Sequence, residues 1–184
     1  MLFLGHVGIT LGAGWAFQAA GRRGGDGARG LRAVGNRLDL RWLMAGSMLP
    51  DAIDKTLMLA FPASAVGSGR TIAHSLLFVV VVLLVGLTLR SRAKAVLLTV
   101  GAASLGHLAL DSMWNMPHTL LWPALGWSFE PLHVGDFVGR ILHGLETSPA
   151  VYIPEALGAA ISLAFAARLL LARRVRRFLL AGSI

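Results

Sequence analysis

Five apolar stretches, each flanked by basic residues on one side, constrain this chain more than any other feature. They cover residues 2–20, 41–61, 71–90, 95–114 and 150–171. A helix needs about 20 apolar residues to cross the hydrocarbon core of a bilayer. The chain is 55% hydrophobic and only 14% charged, whereas roughly a quarter of the residues in soluble domains are charged. We therefore expect an all-α polytopic membrane protein with about five transmembrane helices.

The placement of the basic residues predicts the orientation of these helices. The net charge of +8 would alone be compatible with a nucleic-acid partner. However, fourteen of the 17 basic residues lie in three groups that follow the first, third and fifth stretches: Arg22, Arg23, Arg29, Arg32, Arg37 and Arg41; Arg90, Arg92 and Lys94; Arg168, Arg173, Arg174, Arg176 and Arg177. This alternation follows the positive-inside rule. We expect a membrane protein with its N-terminus outside, its C-terminus inside and no nucleic-acid partner.

The same pattern predicts one integral membrane domain over residues 1–184. It would have a cytoplasmic loop at 21–40, outer loops at 62–70 and 115–149, and a basic cytoplasmic tail at 172–184. No basic residue precedes the first stretch, which favours an uncleaved helix over a signal peptide. LLWPALGW at 120–127 is too short to span and predicts an interfacial or re-entrant segment. The second outer loop holds most of the remaining ionisable residues: His118, Glu130, His133, Asp136, His143 and Glu146.

Several ionisable residues lie inside the apolar stretches, where contact with lipid would be costly. His107 and Asp111 are four residues apart, so on a helix they share one face and suit chelation of one metal ion. Asp51 and Asp54 follow Pro50, which predicts a kinked or broken helix around a polar site. The alternative is that the membrane segment ends at Pro50 and both acids are interfacial.

Independent stretches place these residues at similar depth. With about 1.5 Å of rise per helical residue, His107 lies about 20 Å and Asp111 about 25 Å from the basic inner end of their stretch. The same arithmetic gives about 24 Å for His74 and about 22 Å for His6. Scattered structural histidines would not be expected to coincide in this way. We therefore predict one polar centre in the outer half of the membrane, with the metal-ligand candidates His6, Asp51, Asp54, His74, His107 and Asp111.

The chain has no cysteine, so any metal must be held by nitrogen and oxygen ligands. The motifs GHVGI (5–9), LPDAIDK (49–55), RTIAHSLLF (70–78), GHLALD (106–111) and LLWPALGW (120–127) together resemble the bacterial membrane-bound metal-dependent hydrolases, which include inner-membrane hydrolases described as LexA-regulated. The resemblance covers most of residues 1–130. It implies an integral enzyme of the bacterial cytoplasmic (inner) membrane with metal ligands among these histidines and aspartates.

The order of these residues is also similar to that in zinc-dependent phospholipases C and the related single-strand nucleases. That likeness implies a zinc ion held by Asp51 or Asp54 together with His74, His107 and Asp111. Asp111 would bridge to any second ion, which His6 would help to hold. The chain has no tryptophan at a processed N-terminus and does not repeat the later histidine spacing, so the likeness does not extend to a three-metal cluster.

A bound zinc would lower the pKa of a coordinated water toward about 7. We expect Asp54 to act as the base for that water, and Lys55 and His118 to stabilise charge on a phosphoryl or ester oxygen. At this depth the natural substrate is a phosphoester or ester of a lipid-like molecule. His143 and Glu146 are better explained as a solvated pair than as a second metal site. The alternatives are a metal-handling transport protein, which the lack of an inverted repeat disfavours, and a non-catalytic membrane assembly protein.

Overall fold

The structure, a computed structural model, describes residues 1–23, 30, 33–35, 38–61, 68–129 and 137–182. Within these residues the regular elements are all helical, which confirms the all-α prediction. The α-helices are α1 (Phe3–Arg23), α2 (Leu40–Ala60), α3 (Leu76–Thr88), α4 (Ser91–Leu110), α5 (Pro117–Leu120), α6 (Phe137–Thr147), α7 (Pro149–Leu171) and α8 (Val175–Ala181). Short 3₁₀ turns at Ile72–His74 and Met113–Asn115 precede α3 and α5.

The long helices pack side by side in the order α7, α1, α2, α4, α3. Apolar side chains form one cluster that includes Leu11, Leu43 and Phe165, and a smaller one of Val79, Leu108 and Met113. The larger cluster draws on the first residues of α2 and the last turns of α7, which lie next to the basic segments. The predicted polar residues lie toward the opposite ends of these helices.

Two helices of the described chain, α4 and α7, are long and apolar enough to cross a membrane by length and hydropathy. Five were expected from the sequence. Helices α1 and α2 have 21 residues each, about 31 Å of helix, but glycine, histidine and charged residues lower their hydropathy. Helix α3 is strongly apolar but has only 13 residues, because His74 and its neighbours form a 3₁₀ turn instead of extending it.

Glycine allows the closest approach between helices. A Cβ at Gly8 of α1 would collide with the carbonyl oxygen of Gly158 in α7, and one at Gly158 would collide with the carbonyl of Leu4. A Cβ at Gly46 of α2 would lie 2.7 Å from the Cα of Val100 in α4. Small residues at such positions let membrane helices pack backbone against backbone. Helix α1 thereby packs closely against α7, and α2 packs closely against α4.

Helix α2 runs without a break through Pro50, so the expectation that the membrane segment breaks or ends there is wrong. Proline has no N–H and cannot donate to the carbonyl four residues earlier, which here belongs to Gly46. The hydroxyl of Ser104 in α4 donates to that oxygen at 3.0 Å instead. A hydrogen bond from the neighbouring helix therefore compensates for the proline and joins α2 to α4.

Several boundaries differ from those expected. The helix formed by the fourth stretch, α4, ends at Leu110. Asp111 therefore lies at its C-cap instead of within the helix. The amphipathic helix α6 lies in the region expected to be an outer loop, and α8 lies in the expected basic tail. Glu130, His133 and Asp136 lie outside the described residues.

Candidate metal centre

Six ionisable side chains from four separate elements meet at one end of the helical bundle. They are His6 of α1, Asp51 and Asp54 of α2, His74 of the first 3₁₀ turn, and His107 and Asp111 at the end of α4. The side chains of the three histidines and of Asp54 are fully buried, and that of Asp111 is 3% exposed. The sequence-based prediction that these residues share one centre agrees with this arrangement.

The carboxylate of Asp54 fixes the position and the tautomer of His74. Its Oδ2 accepts hydrogen bonds from the backbone N–H of Thr71 at 2.6 Å and from His74 Nδ1 at 2.7 Å. Its Oδ1 accepts from the hydroxyl of Thr71 at 2.6 Å and from the N–H of Ala73 at 3.1 Å. Because Nδ1 is the donor, the neutral ring of His74 carries its lone pair on Nε2. That lone pair is directed at the centre of the cluster.

The ring of His107 is fixed in the same way by the backbone of α2. Its Nδ1 donates to the carbonyl oxygen of Ser47 at 2.6 Å. Neutral His107 therefore also carries its lone pair on Nε2. Histidines that bind metals usually donate their other N–H to a carboxylate or backbone carbonyl in this manner. Asp54 and Ser47 provide one acceptor of each kind.

Four donor atoms converge on the space between the two imidazoles. The Nε2 atoms of His74 and His107 are 3.2 Å apart. Asp51 Oδ1 lies 3.6 Å from the first and 4.0 Å from the second, and Asp111 Oδ2 lies 4.0 Å from both. Ligands of a tetrahedral zinc ion, with bonds of about 2.0–2.1 Å, are about 3.3 Å apart. The two imidazole nitrogens already lie close to this separation, whereas the carboxylate oxygens of Asp51 and Asp111 are further away and would have to move inward to bind the same ion.

Each of the two ligand-candidate carboxylates also contacts a partly exposed cation. Lys55 Nζ lies 2.7 Å from Asp51 Oδ2, so the other oxygen of Asp51 is the one that faces the histidines. Arg70 Nη2 lies 2.6 Å from Asp111 Oδ2. Asp111 Oδ1 accepts from His6 Nε2 at 3.0 Å and from the Met1 amine at 2.7 Å. The two carboxylates thus connect the buried centre to positive charge nearer the surface.

His6 packs against the other side of His107. The two rings stack with centroids 4.0 Å apart. Since Nε2 of His6 donates to Asp111, its buried Nδ1 is left without a hydrogen-bond partner. His6, His107 and Asp111 form a second possible group of ligands, which shares His107 with the group of Asp51, His74 and His107.

Glu155 of α7 is a buried acid that the sequence analysis did not select. Its carboxylate accepts hydrogen bonds from the backbone N–H groups of Leu2 at 2.7 Å, Leu4 at 2.9 Å and Gly5 at 3.1 Å. The first N–H groups of a helix have no partner within the helix, and Glu155 supplies one from a neighbouring helix. It thereby fixes the turn that carries His6. Its position near the start of an apolar stretch was the available signal.

Two of the predicted catalytic roles do not agree with the geometry. Both oxygens of Asp54 already accept two hydrogen bonds each, so Asp54 is placed to orient His74 rather than to bind a metal or take a proton. His118 is exposed on α5, and its Nδ1 donates to the carbonyl of Leu125 at 3.2 Å. His118 and the exposed His143 belong to neither ligand group.

Residues 1–179 match the family described as "YdjM inner membrane protein". Comparison with curated proteins gives no significant match, and comparison with solved structures gives none either. The family match covers nearly the whole chain and supports the expected inner-membrane location. The family match does not support the resemblance to metal-dependent hydrolases or to phospholipases C.

Proposed function

Because this chain belongs to the YdjM inner membrane protein family, we propose that it is a membrane-embedded hydrolase that depends on one divalent metal ion, with zinc as the best candidate. Asp51, His74, His107 and Asp111 would hold the ion. Nitrogen and carboxylate donors without thiolates are compatible with zinc, and a zinc ion commonly keeps a coordination position for water or substrate. Such an ion supplies Lewis acidity and a nucleophile at neutral pH.

The paired imidazoles are the observation that carries this proposal. His74 and His107 each donate Nδ1–H to a fixed acceptor, so two lone pairs face each other across 3.2 Å. Two such lone pairs repel each other unless a cation lies between them. A proton could fill that role, with the carboxylates of Asp51 and Asp111 stabilising its charge, but it would be bound only by the two nitrogens, although the carboxylate oxygens also lie within 4.0 Å. A metal ion would engage all four atoms.

The shared histidine favours one ion over two. The two possible ligand groups both require His107, and its Nδ1 is occupied by the carbonyl of Ser47. Only Nε2 remains, and one nitrogen lone pair binds one ion. In this proposal His6 acts through Asp111, whose carboxylate it orients by a hydrogen bond of 3.0 Å.

We further propose that α1, α2, α3, α4 and α7 all span the membrane. Several polar side chains that lower the hydropathy of α1 and α2 are buried in the protein instead of facing lipid: His6, Gln18, Ser47, Asp51 and Asp54. The arginine groups then lie on the cytoplasmic side and the metal centre lies in the outer half of the bilayer. A lipid-like phosphoester or ester could reach the centre laterally from the outer leaflet. Reporter fusions after Arg29 and Arg177 should indicate cytoplasm, and a fusion after Trp127 should indicate the outside.

The decisive experiment combines metal analysis with turnover. The full chain should be purified in a neutral detergent, with its metal content measured by mass spectrometry. Hydrolysis of phosphodiester, phosphomonoester and carboxylic ester substrates should be followed in the same sample. We expect about one zinc per chain and hydrolysis that a chelator abolishes and zinc restores. His107→Ala should lose most of the metal, whereas His143→Ala, at an exposed histidine outside the centre, should keep it.

Each alternative has its own signature in these measurements. Tight metal binding without turnover of any substrate class would favour a metal-handling or assembly protein. Equal metal loss in His107→Ala and His143→Ala would place the metal elsewhere. A fusion after Trp127 that indicates cytoplasm would place the centre on the wrong side of the membrane.

A further inference from the structure

We propose that Arg70 binds the phosphate group of the substrate, which makes the enzyme a phosphoesterase. This inference rests on the proposed function and assigns its substrate class. Arg70 was not among the sequence-predicted site residues. Its side chain is 26% exposed, whereas the side chain of Asp111, which it contacts, is 3% exposed. The arginine therefore lies between the buried metal ligands and the surface from which a substrate approaches.

The two terminal nitrogens of the Arg70 guanidinium group make hydrogen bonds of different strength. Nη2 donates to Asp111 Oδ2 at 2.6 Å, a short charge-assisted hydrogen bond. Nη1 donates to the thioether sulfur of Met116 at 3.4 Å. A thioether is a weak acceptor, so replacing it with a phosphate oxygen costs little and gains a charge-assisted bond. One arm anchors the arginine to a ligand carboxylate while the other is available to an oxyanion.

The backbone around Arg70 is fixed on both sides. Its N–H donates to the hydroxyl of Ser68 at 3.2 Å, and that buried hydroxyl donates to the Arg70 carbonyl at 2.9 Å. The next residue, Thr71, is held by Asp54 through both its N–H and its hydroxyl. Three residues further along, the same segment supplies His74. One anchored segment therefore positions a ligand candidate and the proposed phosphate-binding residue relative to each other.

The charges around the centre favour an anionic substrate. The carboxylates of Asp51, Asp54 and Asp111 are balanced by the cations of Lys55, Arg70 and the Met1 amine. Adding a divalent ion would give these groups a net charge of about +2 in a site largely shielded from water, where Coulomb interactions are strong. A phosphoester brings the compensating negative charge, whereas a neutral carboxylic ester does not. The planar fork of an arginine also matches the oxygens of a phosphate.

Inorganic phosphate is a suitable probe because it requires no knowledge of the natural substrate. Its binding to the zinc-loaded full chain in neutral detergent can be measured by calorimetry. We expect Arg70→Gln to weaken phosphate binding about ten- to a hundredfold, the range for losing a hydrogen bond to a charged group. Metal content should be unchanged. The ratio of kcat/KM for a phosphoester to that for a carboxylic ester should fall by a similar factor.

Lys55→Gln is the matched comparison, because Lys55 is the cation that the sequence was expected to supply for the phosphoryl charge. It removes the same charge from beside the other ligand carboxylate, Asp51, but from a side chain that is 40% exposed. We expect it to weaken phosphate binding by less than about fivefold, since half-exposed ion pairs contribute little. Arg70→Lys, which keeps the charge but loses the fork, should recover only part of the affinity.

Three results would overturn the role of Arg70. Equal losses in Arg70→Gln and Lys55→Gln would mean that net charge alone matters. An Arg70→Gln variant that binds phosphate with wild-type affinity would show that Arg70 does not bind the phosphate group. Loss of metal in Arg70→Gln would show that the residue only supports Asp111. All three results remain compatible with a metal-dependent hydrolase. A wild-type chain that binds no metal would instead overturn the proposed function itself.

Discussion

Asp54 holds His74 by a hydrogen bond of 2.7 Å between its Oδ2 and the ring Nδ1. The same carboxylate accepts three more hydrogen bonds from Thr71 and Ala73. Asp54 therefore joins α2 to the segment that carries His74 and determines which nitrogen of the ring faces the centre. Its contribution to a metal site would be orientation.

The first prediction concerns Asp54→Asn. Both oxygens of the Asp54 carboxylate accept hydrogen bonds. If the side-chain oxygen of an asparagine accepts from His74, its amide NH2 group must therefore face the N–H and O–H donors that bind the other oxygen of Asp54. We expect the zinc affinity to fall about 10- to 100-fold, as is usual when an acceptor behind a metal-binding histidine is lost. Competition with a chelator of known affinity would measure it.

Asp51→Asn provides the comparison, since Asp51 is a ligand candidate and lies only three residues away. Its loss of zinc affinity should exceed that of Asp54→Asn. If Asp54→Asn retained wild-type zinc affinity but lost hydrolysis, Asp54 would be the base expected from the sequence, and the orienting role would be wrong.

Much of the centre could be predicted from the sequence because membrane helices convert position in the chain into depth. His6, His74 and His107 lie in separate apolar stretches, and an ionisable residue in such a stretch must find polar partners. Similar depths on independent helices therefore imply a shared centre. Tertiary contacts were not needed for that step.

The division of roles within the centre could not be predicted. Whether Asp51 or Asp54 faces the histidines depends on the path of the segment from Ser68 to Ser75, whose N–H groups surround Asp54. Arg70 and Glu155 were missed for a similar reason. The partner of Arg70 is Asp111, which lies 41 residues away in the chain. The partners of Glu155 are the first N–H groups of α1, which lie more than 149 residues away.

The second prediction concerns the contact between α1 and α7. Gly8→Ala places a Cβ against the carbonyl oxygen of Gly158, so the two helices must separate. We expect a loss of about 1–3 kcal/mol in the free energy of unfolding, the usual cost of overpacking. Thermal unfolding in detergent would measure the change.

Gly106→Ala is the matched control within α4. No atom lies within 4 Å of a Cβ added there, so the added methyl group should be tolerated. Alanine in a helix interior is favoured over glycine by roughly 0.5–1 kcal/mol. A loss of stability as large as that of Gly8→Ala would mean that backbone contact does not explain the sensitivity of Gly8.

The third prediction concerns pH and the N-cap of α2. Burial raises the pKa of the Asp39 carboxyl, but hydrogen bonds and charge from Arg41 outweigh burial and hold the pKa below its usual value. A carboxyl with a depressed folded pKa stabilises the fold above its unfolded pKa of about 3.9, and that stability is lost as the pH falls through the folded pKa. Asp39→Asn should therefore lower the Tm at pH 6, and the Tm difference should shrink as the pH falls below about 3.9.

Asparagine caps a helix about as well as aspartate, so this substitution isolates the charge. The charged pair also extends to α8, because Arg41 Nη1 donates to the carbonyl of Leu179 at 2.6 Å. The Tm of both proteins should be followed from pH 6 downward in the same detergent. A Tm difference that stays constant over this range would show that the cap, and not the ion pair, was disturbed.

The last prediction concerns the compensation between Pro50 and Ser104. Ser104→Ala removes the hydroxyl that donates to the Gly46 carbonyl at 3.0 Å, and Pro50 offers that oxygen no N–H. A buried acceptor that loses its partner costs about 1–3 kcal/mol. Pro50→Ala restores the missing N–H, so Ser104→Ala should cost at least about 1 kcal/mol less in that background. The free energies of unfolding of the four proteins form a double-mutant cycle that measures this coupling. Strictly additive losses would show that Ser104 does not replace the hydrogen bond that the proline removes.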